Sequence, residues 1–164
     1  MKETQSSNKH LLRVYADTSV FGGTFDPEFN ETSEVFFDQV RSGRFHLVTS
    51  VLVQDEIEPA PPNVQEFFDG MIEFAEITEI SDEALRLQEA YLEAEIVTSK
   101  WALDALHVAI ATVARCSLIV SWNFKHIVHF EKIALYNAVN TLEGYSGLAI
   151  HSPQEVIDYE DKDV

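Results

Sequence analysis

The stretch Leu11-Leu12-Arg13-Val14-Tyr15-Ala16 runs directly into Asp17-Thr18-Ser19, and it decides the expected fold. Its apolar and aromatic residues are typical of a β-strand, and the polar residues that follow end it. A second strand-like run, Ser117-Leu118-Ile119-Val120, ends in the same way at Ser121-Trp122-Asn123. In an open parallel sheet, ligands bind outside the carboxyl ends of the strands. We therefore expect the polar residues after both strands to share one site.

The rest of the chain alternates strand and helix, which predicts a mainly parallel sheet covered by helices on both faces. Ser50, Asn63 and Ser81 are the expected N-caps of three of the helices. Further strands are expected at 44–49, 76–80 and 148–150, and helices at 31–41, 51–58, 63–75, 81–96, 101–114, 132–142 and 153–157. The expected fold class is thus α/β, with one domain over residues 12–157. A flexible lead at 1–11 and an acidic tail at 158–164 are expected to flank it.

The composition limits the classes of function. The chain has 28 Asp and Glu against 11 Lys and Arg, a formal charge of −17. A protein that coats nucleic acid regardless of sequence would be basic, so that class is disfavoured, whereas an enzyme that meets nucleic acid locally is not. The single cysteine, Cys116, forms no internal disulfide, and we expect a cytoplasmic protein. The sequence has no run long enough to span a membrane and no secretory signal at its N-terminus.

Carboxylates supply the candidate metal ligands. Asp104 interrupts an alanine-rich apolar helix, where a carboxylate needs a metal or a counter-charge unless it lies on an exposed stripe. Asp17 directly follows a strand, and an Asx-turn or helix cap is the alternative there. In the short helix after the second strand, helical periodicity does not separate Asp55, Glu56 and Glu58. Acidic side chains gathered in one site suit Mg²⁺ or Mn²⁺ better than zinc or copper.

Other polar residues have simpler explanations available. His107 lies one turn after Asp104, and a packed or surface histidine is favoured over a ligand. Asn123 is an ordinary turn residue when considered alone. Lys125 and His126 either bind a phosphate near the metal or are merely solvated.

Taken together, these segments resemble the PIN domain, the metal-dependent ribonuclease fold of the VapC-like toxins in bacterial toxin–antitoxin pairs. The resemblance covers residues 12 to 157. The matching segments are 14–19, 49–57, 104–111 and 118–127. Each is short, but their order, spacing and placement on strand ends and helices make the joint match specific.

The resemblance implies a three-layer α/β/α sandwich in which Asp17, Glu56 and Asp104 carry an acidic Mg²⁺ site. It selects Glu56 over Asp55, and it adds Asn123 as a fourth catalytic residue. Many members of the family have a fourth acid where this chain has Asn123. The missing charge is expected to weaken a second metal more than the first.

The function implied is hydrolysis of RNA phosphodiester bonds, with a water activated by the metal and with Thr18 or Ser19 holding a water or a phosphate oxygen. An antitoxin is the implied protein partner. A homodimer is also expected, because Phe67, Phe68, Met71 and Phe74 give one helix more apolar surface than a single contact needs.

Two other functions remain open. A phosphatase of the haloacid-dehalogenase type would use Asp17 as nucleophile, but it wants an acid at the position of Ser19. A PIN-like protein with a degenerate site would only bind a partner, and Asn123 and the net charge favour this.

Overall fold

The structure, a computed structural model, describes residues 11–158, in which the chain forms one five-stranded sheet. The predicted terminal lead and acidic tail lie almost entirely outside the described residues. The strands are β1 (Leu12–Ala16), β2 (Phe45–Ser50), β3 (Ala75–Thr78), β4 (Leu118–Val120) and β5 (Ala149–His151). Every adjacent pair is parallel, so the predicted mainly parallel sheet is confirmed.

The strand order is β3-β2-β1-β4-β5, which places β1 in the centre. From β1 the chain builds the sheet outward in one direction through β2 and β3. It then crosses back to add β4 on the other side of β1. This reversal between β1 and β4 is the point at which open α/β sheets bind their ligands.

Helices connect the strands and cover the sheet. They are α1 (Thr18–Gly23), α2 (Asn30–Arg41), α3 (Val51–Ile57), α4 (Pro62–Met71), α5 (Asp82–Glu93), α6 (Ala102–Val113), α7 (Phe130–Leu142) and α8 (Pro153–Val156), with single 3-10 turns at Ile72–Phe74 and Ser99–Trp101. Helix α2 packs on α1 and α8, and α5 packs on α6 and α7. The result is the predicted α/β/α sandwich. In the part of the chain described here, no helix combines the length and the apolarity needed to cross a membrane.

Several local predictions are correct and others need correction. Ser50 and Ser81 are N-caps, and their hydroxyl groups accept backbone N–H bonds from Val53 and Ala84. Asn63 is not a cap, because Pro61 and Pro62 start that helix earlier and proline is preorganised for the first helical position.

Two other differences concern a helix that was not predicted and a helix that ends earlier than predicted. Helix α1 is missing from the sequence prediction, since its two glycines hide any helical period. Helix α5 ends at Glu93 rather than at Ile96, because Glu95 takes a left-handed backbone with φ of 59°.

The apolar residues of α4 and the turn after it that were expected at a dimer interface lie mostly inside the protein. Phe68 and Met71 are buried, and Phe67 packs edge-on against Phe37 with ring centroids 4.9 Å apart. Phe74 is 45% exposed, and it belongs to the 3-10 turn after α4. The apolar excess of this helix is therefore used by the core, and the homodimer remains a prediction.

Candidate functional site

A cavity of about 450 Å³ opens at the carboxyl ends of β1 and β4, at the point where the chain reverses direction in the sheet. It is lined by Asp17, Thr18, Ser19, Glu56, Pro59, Asp104, His107 and Asn123. All four residues selected from the sequence thus line one cavity. A larger groove of about 590 Å³ lies by α2 and α8, but its carboxylates are exposed surface groups. Size alone does not identify the site.

The 450 Å³ cavity is called the carboxylate cavity below. Asp17 lines it and is only 3% exposed. It holds the N-cap position of α1, yet its two oxygens face hydroxyl groups rather than the helix backbone. Ser19 Oγ donates to Oδ1 and Ser121 Oγ donates to Oδ2, both at 2.6 Å. Burial raises the pKa of Asp17, and this is opposed by His107 and by the two serine hydrogen bonds. A carboxylate kept this far from water needs a positive partner when it ionises.

Ser19 and Ser121 connect Asp17 to the end of β4. Ser19 Oγ also accepts the backbone N–H of Trp122 at 2.9 Å, and Ser121 Oγ accepts the backbone N–H of Asn123 at 2.9 Å. The two hydroxyl groups therefore tie the first strand end to the fourth. The sequence predicted a shared site after both strands but did not single out Ser121, because a serine after a strand carries no signal of its own.

Glu56 projects from α3 into the same cavity. Its Oε1 accepts a hydrogen bond from Thr18 Oγ1 at 2.5 Å and lies 2.7 Å from His107 Nε2. Burial raises the pKa of Glu56, but His107 and Thr18 outweigh it, so that the pKa is lowered overall. The two carboxylates that periodicity left open, Asp55 and Glu58, are exposed and lie outside the cavity.

His107 lines the cavity and makes more contacts there than its sequence context predicted. It is buried as expected for a packed histidine, but both ring nitrogens are used. Nδ1 lies 2.8 Å from the hydroxyl oxygen of Tyr15, which lies 2.7 Å from Ser50 Oγ. A hydrogen-bonded chain thus runs from the cap of α3 through the central strand to Glu56. The signal was present in the three-residue spacing from Asp104, which puts both side chains on one helix face.

Asp104 lies in the first turn of α6 and is half-buried at the cavity. The sequence left open a carboxylate with a charged partner or a charge on an exposed stripe, and Asp104 lies between the two because the buried stretch of this helix begins only at Ala105. An acid in the first turn is also favoured by the helix dipole. Its place in the cavity rather than its burial is what links Asp104 to Asp17 and Glu56.

Asn123 both makes a turn and lines the cavity. Its Oδ1 accepts the backbone N–H of His126 at 2.9 Å, as an ordinary turn asparagine would. This hydrogen bond uses one of the two lone pairs of the amide oxygen, and the amide NH₂ group is available to the cavity. Within residues 11–158, no three His, Cys, Asp or Glu side chains form a group that could hold a metal ion.

Comparison with solved structures places this architecture among known folds. One matching chain comes from the crystal structure of VapBC2 from Rickettsia felis bound to a DNA fragment from their promoter. The superposition has a TM-score of 0.55 and covers 85% of this chain and 98% of that chain. The fold is PIN-like. At 12% sequence identity the likeness concerns the fold and leaves the chemistry open. No family model matches the sequence, and no curated protein matches it either.

Proposed function

We propose that this chain is a metal-dependent ribonuclease that hydrolyses RNA phosphodiester bonds with Mg²⁺, or with Mn²⁺ in its place. The observation that carries the proposal is the meeting of Asp17, Glu56 and Asp104 in one cavity at the switch point of a PIN-like sheet. One of the three carboxylates follows a strand and the other two lie on different helices. They are far apart in the sequence, so only the fold brings them together.

The donor set of the cavity fits a hard divalent cation. Asp17, Glu56 and Asp104 would hold it, directly or through its bound waters, and no lysine or arginine among the described residues lines the cavity to neutralise them. Mg²⁺ is usually bound through one or two carboxylates and keeps several waters, which suits a site without a close three-ligand group. When bound, such an ion supplies positive charge near the phosphate and a water of lowered pKa.

The chain's own residues orient the reacting groups. Ser19 and Ser121 fix both oxygens of Asp17, and His107 with Thr18 fixes one oxygen of Glu56. The NH₂ group of Asn123 is suited to donate to a phosphate oxygen, since its amide oxygen is turned to the backbone. Fixed donors and acceptors of this kind lower the reorganisation needed in the reaction.

A second candidate is a PIN-like binding protein without catalysis. The absence of a close three-ligand group among the described residues favours it, as does the engaged amide oxygen of Asn123. A haloacid-dehalogenase-type phosphatase is disfavoured, because Ser19 stands in place of the second acid and both oxygens of Asp17 are hydrogen-bonded to serines.

Two protein partners belong to the same proposal. The structural neighbour is a VapBC2 complex, which supports an antitoxin partner for this chain as well. A homodimer is proposed on the family resemblance, and sedimentation at high concentration tests it. A chain that stays monomeric at every concentration would exclude that part of the proposal.

Cleavage of labelled RNA, measured with Mg²⁺, with Mn²⁺ and with EDTA, tests the proposed activity. Asp17→Asn, Glu56→Gln and Asp104→Asn are each expected to abolish cleavage. Asp55→Asn and Glu58→Gln are matched controls from the same helix region and are expected to cleave normally. Cleavage that persists in EDTA, or that Asp55→Asn removes as completely as Glu56→Gln, would overturn the assignment. Metal binding without any cleavage would favour the binding protein.

A further inference from the structure

Two lysines approach the ring of one tryptophan, Trp101, which lies at the start of the helix that carries Asp104. The ammonium nitrogen of Lys100 lies 5.1 Å from the centroid of the Trp101 ring, and that of Lys125 lies 5.9 Å from it. Both distances fall within the range of a cation–π interaction, which holds each ammonium group near the ring face without neutralising it. Two positive charges from distant parts of the chain are thus fixed at one place.

These two ammonium groups have no acidic partner among residues 11–158, where the salt bridges involve other side chains. The third lysine of that range, Lys132, donates to the carbonyl oxygen of Ile96. In a chain of charge −17, carboxylates are abundant, so two neighbouring cations without one are unusual. They are free to meet an anion from outside.

The lysine pair lies beside the cavity. Trp101 is the N-cap residue of the helix that carries Asp104, and Lys125 follows Asn123 by two residues. His126 lies flat against Trp101, with ring centroids 4.3 Å apart. Burial lowers the pKa of His126, and Asp104 opposes this while neighbouring cations reinforce it. A carboxylate of the cavity, Asp104, and one of the two lysines, Lys125, therefore act on the same buried ring.

An exposed aromatic ring follows a cavity residue, Asn123, directly in the chain. Phe124 lies between Asn123 and Lys125 and is 49% exposed. Its inner side contacts Trp122, which stacks on Phe29 with ring centroids 4.2 Å apart. A ring that is half exposed and held by neighbouring aromatic rings is suited to stacking with a flat ligand.

We propose that Lys100, Lys125 and Phe124 bind a single nucleic-acid strand beside the carboxylate cavity. The ammonium groups contact phosphates that flank the reacting one, and an unpaired base stacks on Phe124. This inference rests on the proposed ribonuclease function and names the form of its substrate, which is a strand with unstacked bases.

Charge and geometry together favour a single strand over a duplex. Stacking on a side chain requires a base that is not already paired and stacked. Two ammonium groups also give too little positive charge for a protein of this acidity to hold a duplex by its backbone alone. Each phosphate contact on a single strand contributes roughly 0.7 to the slope of log K against log salt. The lysine pair is therefore expected to contribute about 1.4 to that slope.

The test is fluorescence anisotropy with a short labelled RNA, in Mg²⁺ and in an Asp17→Asn background so that no strand is cut. The same sequence as single-stranded DNA and as duplex RNA provides the other two probes. Lys125→Gln is compared with Arg115→Gln, which removes an equal charge from an exposed residue at the opposite end of β4. Phe124→Leu is compared with Phe74→Leu, a ring of similar exposure beside the sheet edge at β3.

Phe124→Leu is expected to weaken single-strand binding about tenfold, and Phe74→Leu is expected to leave it unchanged. Lys100→Gln with Lys125→Gln is expected to lower the salt slope by about 1.4, while Arg115→Gln has little effect. Equal binding of RNA and DNA strands supports backbone and stacking contacts, and a preference for RNA supports them together with a 2′-hydroxyl contact. Equal losses in Lys125→Gln and Arg115→Gln, equal losses in the two phenylalanine variants, or duplex binding as tight as single-strand binding would overturn the inference. Since binding is measured without turnover, a wild-type protein that binds the strand but does not cut it would overturn the proposed function alone.

Discussion

The Nε2 atom of His107 lies 2.7 Å from Oε1 of Glu56, so a buried histidine on α6 fixes a carboxylate carried by α3. An ionised carboxylate only accepts, and the lowered pKa of Glu56 keeps it ionised, so Nε2 carries the proton of this bond. On the other side of the ring, Nδ1 lies 2.8 Å from the hydroxyl oxygen of Tyr15. The histidine thus connects Glu56 to a side chain of β1. The position of Glu56 depends in this way on the central strand of the sheet.

Removing the histidine should weaken the metal site while the carboxylates stay in place. We expect His107→Ala to reduce metal affinity and cleavage by about 10- to 100-fold, because Glu56 loses the donor that orients it. Calorimetric titration with Mn²⁺ measures the affinity. His107→Gln can return a donor near the place of Nε2 and is expected to recover part of the loss.

Tyr15→Phe separates the role of the histidine from simple loss of stability. This change removes the hydroxyl bound to Nδ1 but keeps the contact between His107 and Glu56. We expect it to cost about 1–3 kcal/mol of unfolding free energy through unsatisfied buried groups. Its effect on kcat is expected to be much smaller than that of His107→Ala. A Tyr15→Phe protein as inactive as His107→Ala would show that the whole core network matters rather than the orientation of Glu56.

Asp17→Asn should stabilise the protein when divalent ions are absent. A carboxyl group whose pKa is raised on folding favours the folded state below its ordinary pKa and loses that contribution as pH rises. Above the raised pKa, the wild type therefore carries an unfavourable buried charge that the amide lacks. We expect the variant to be more stable by about 1 kcal/mol at neutral pH, or roughly 2–4 °C in Tm.

Thermal melts in EDTA across acidic and neutral pH measure this difference. The gain in Tm for Asp17→Asn should shrink as pH falls and vanish where Asp17 is protonated in both folded and unfolded chains. Adding Mg²⁺ should stabilise the wild type and reverse the order. A pH-independent difference between the two proteins would contradict the role given to the buried charge.

Gly23 is required by a close approach at the end of α1. A Cβ there would lie 2.7 Å from Ser33 Oγ and 2.8 Å from Trp122 Nε1, two atoms that are hydrogen-bonded to each other at 2.9 Å. We expect Gly23→Ala to cost about 1–3 kcal/mol in urea unfolding. Gly22 lies in the same helix with open space around it, so Gly22→Ala should be neutral or slightly stabilising. Similar losses in both variants would point to helix propensity instead of the contact.

Asn123→Asp should tighten binding of a second divalent ion. One carboxylate oxygen can keep the hydrogen bond from the His126 backbone, and the other brings a charged hard ligand to the cavity. Asp104→Asn should do the reverse and abolish metal-dependent cleavage. Calorimetric metal titration alongside RNA cleavage in Mn²⁺ measures both variants. If Asp104→Asn leaves affinity and cleavage intact, the assignment of the site is wrong.

The residues at strand ends could be placed from the sequence because the geometry of a parallel sheet decides where they go. Asp17 follows β1 and Asn123 follows β4, and the carboxyl ends of neighbouring parallel strands lie at one edge. The carboxylate on α3 was harder to choose. Helix α3 has seven residues, too few for periodicity to separate Glu56 from its acidic neighbours. What distinguishes Glu56 are contacts with Thr18 and His107, which are 38 and 51 residues away.

Hydrogen bonds between distant residues account for most of what the sequence did not predict. Ser121 looks like any turn serine until its hydroxyl meets Asp17, 104 residues earlier in the chain. The half-burial of Asp104 could not be predicted because an apolar neighbourhood in sequence does not fix the neighbourhood in space. The first turn of a helix is often open to solvent, and α6 follows that rule.

The bond between Ser121 and Asp17 has a consequence for synthesis on the ribosome. The central strand is made first, yet one of the two hydroxyls that hold its terminal carboxylate belongs to a residue translated 104 positions later. Contacts of such long range form only after the intervening chain is available. A nascent chain whose β4 has not yet emerged from the ribosome therefore lacks the complete site. A product of interrupted translation that ends before β4 lacks it as well. Whatever the cavity binds, it binds only in chains that extend past β4.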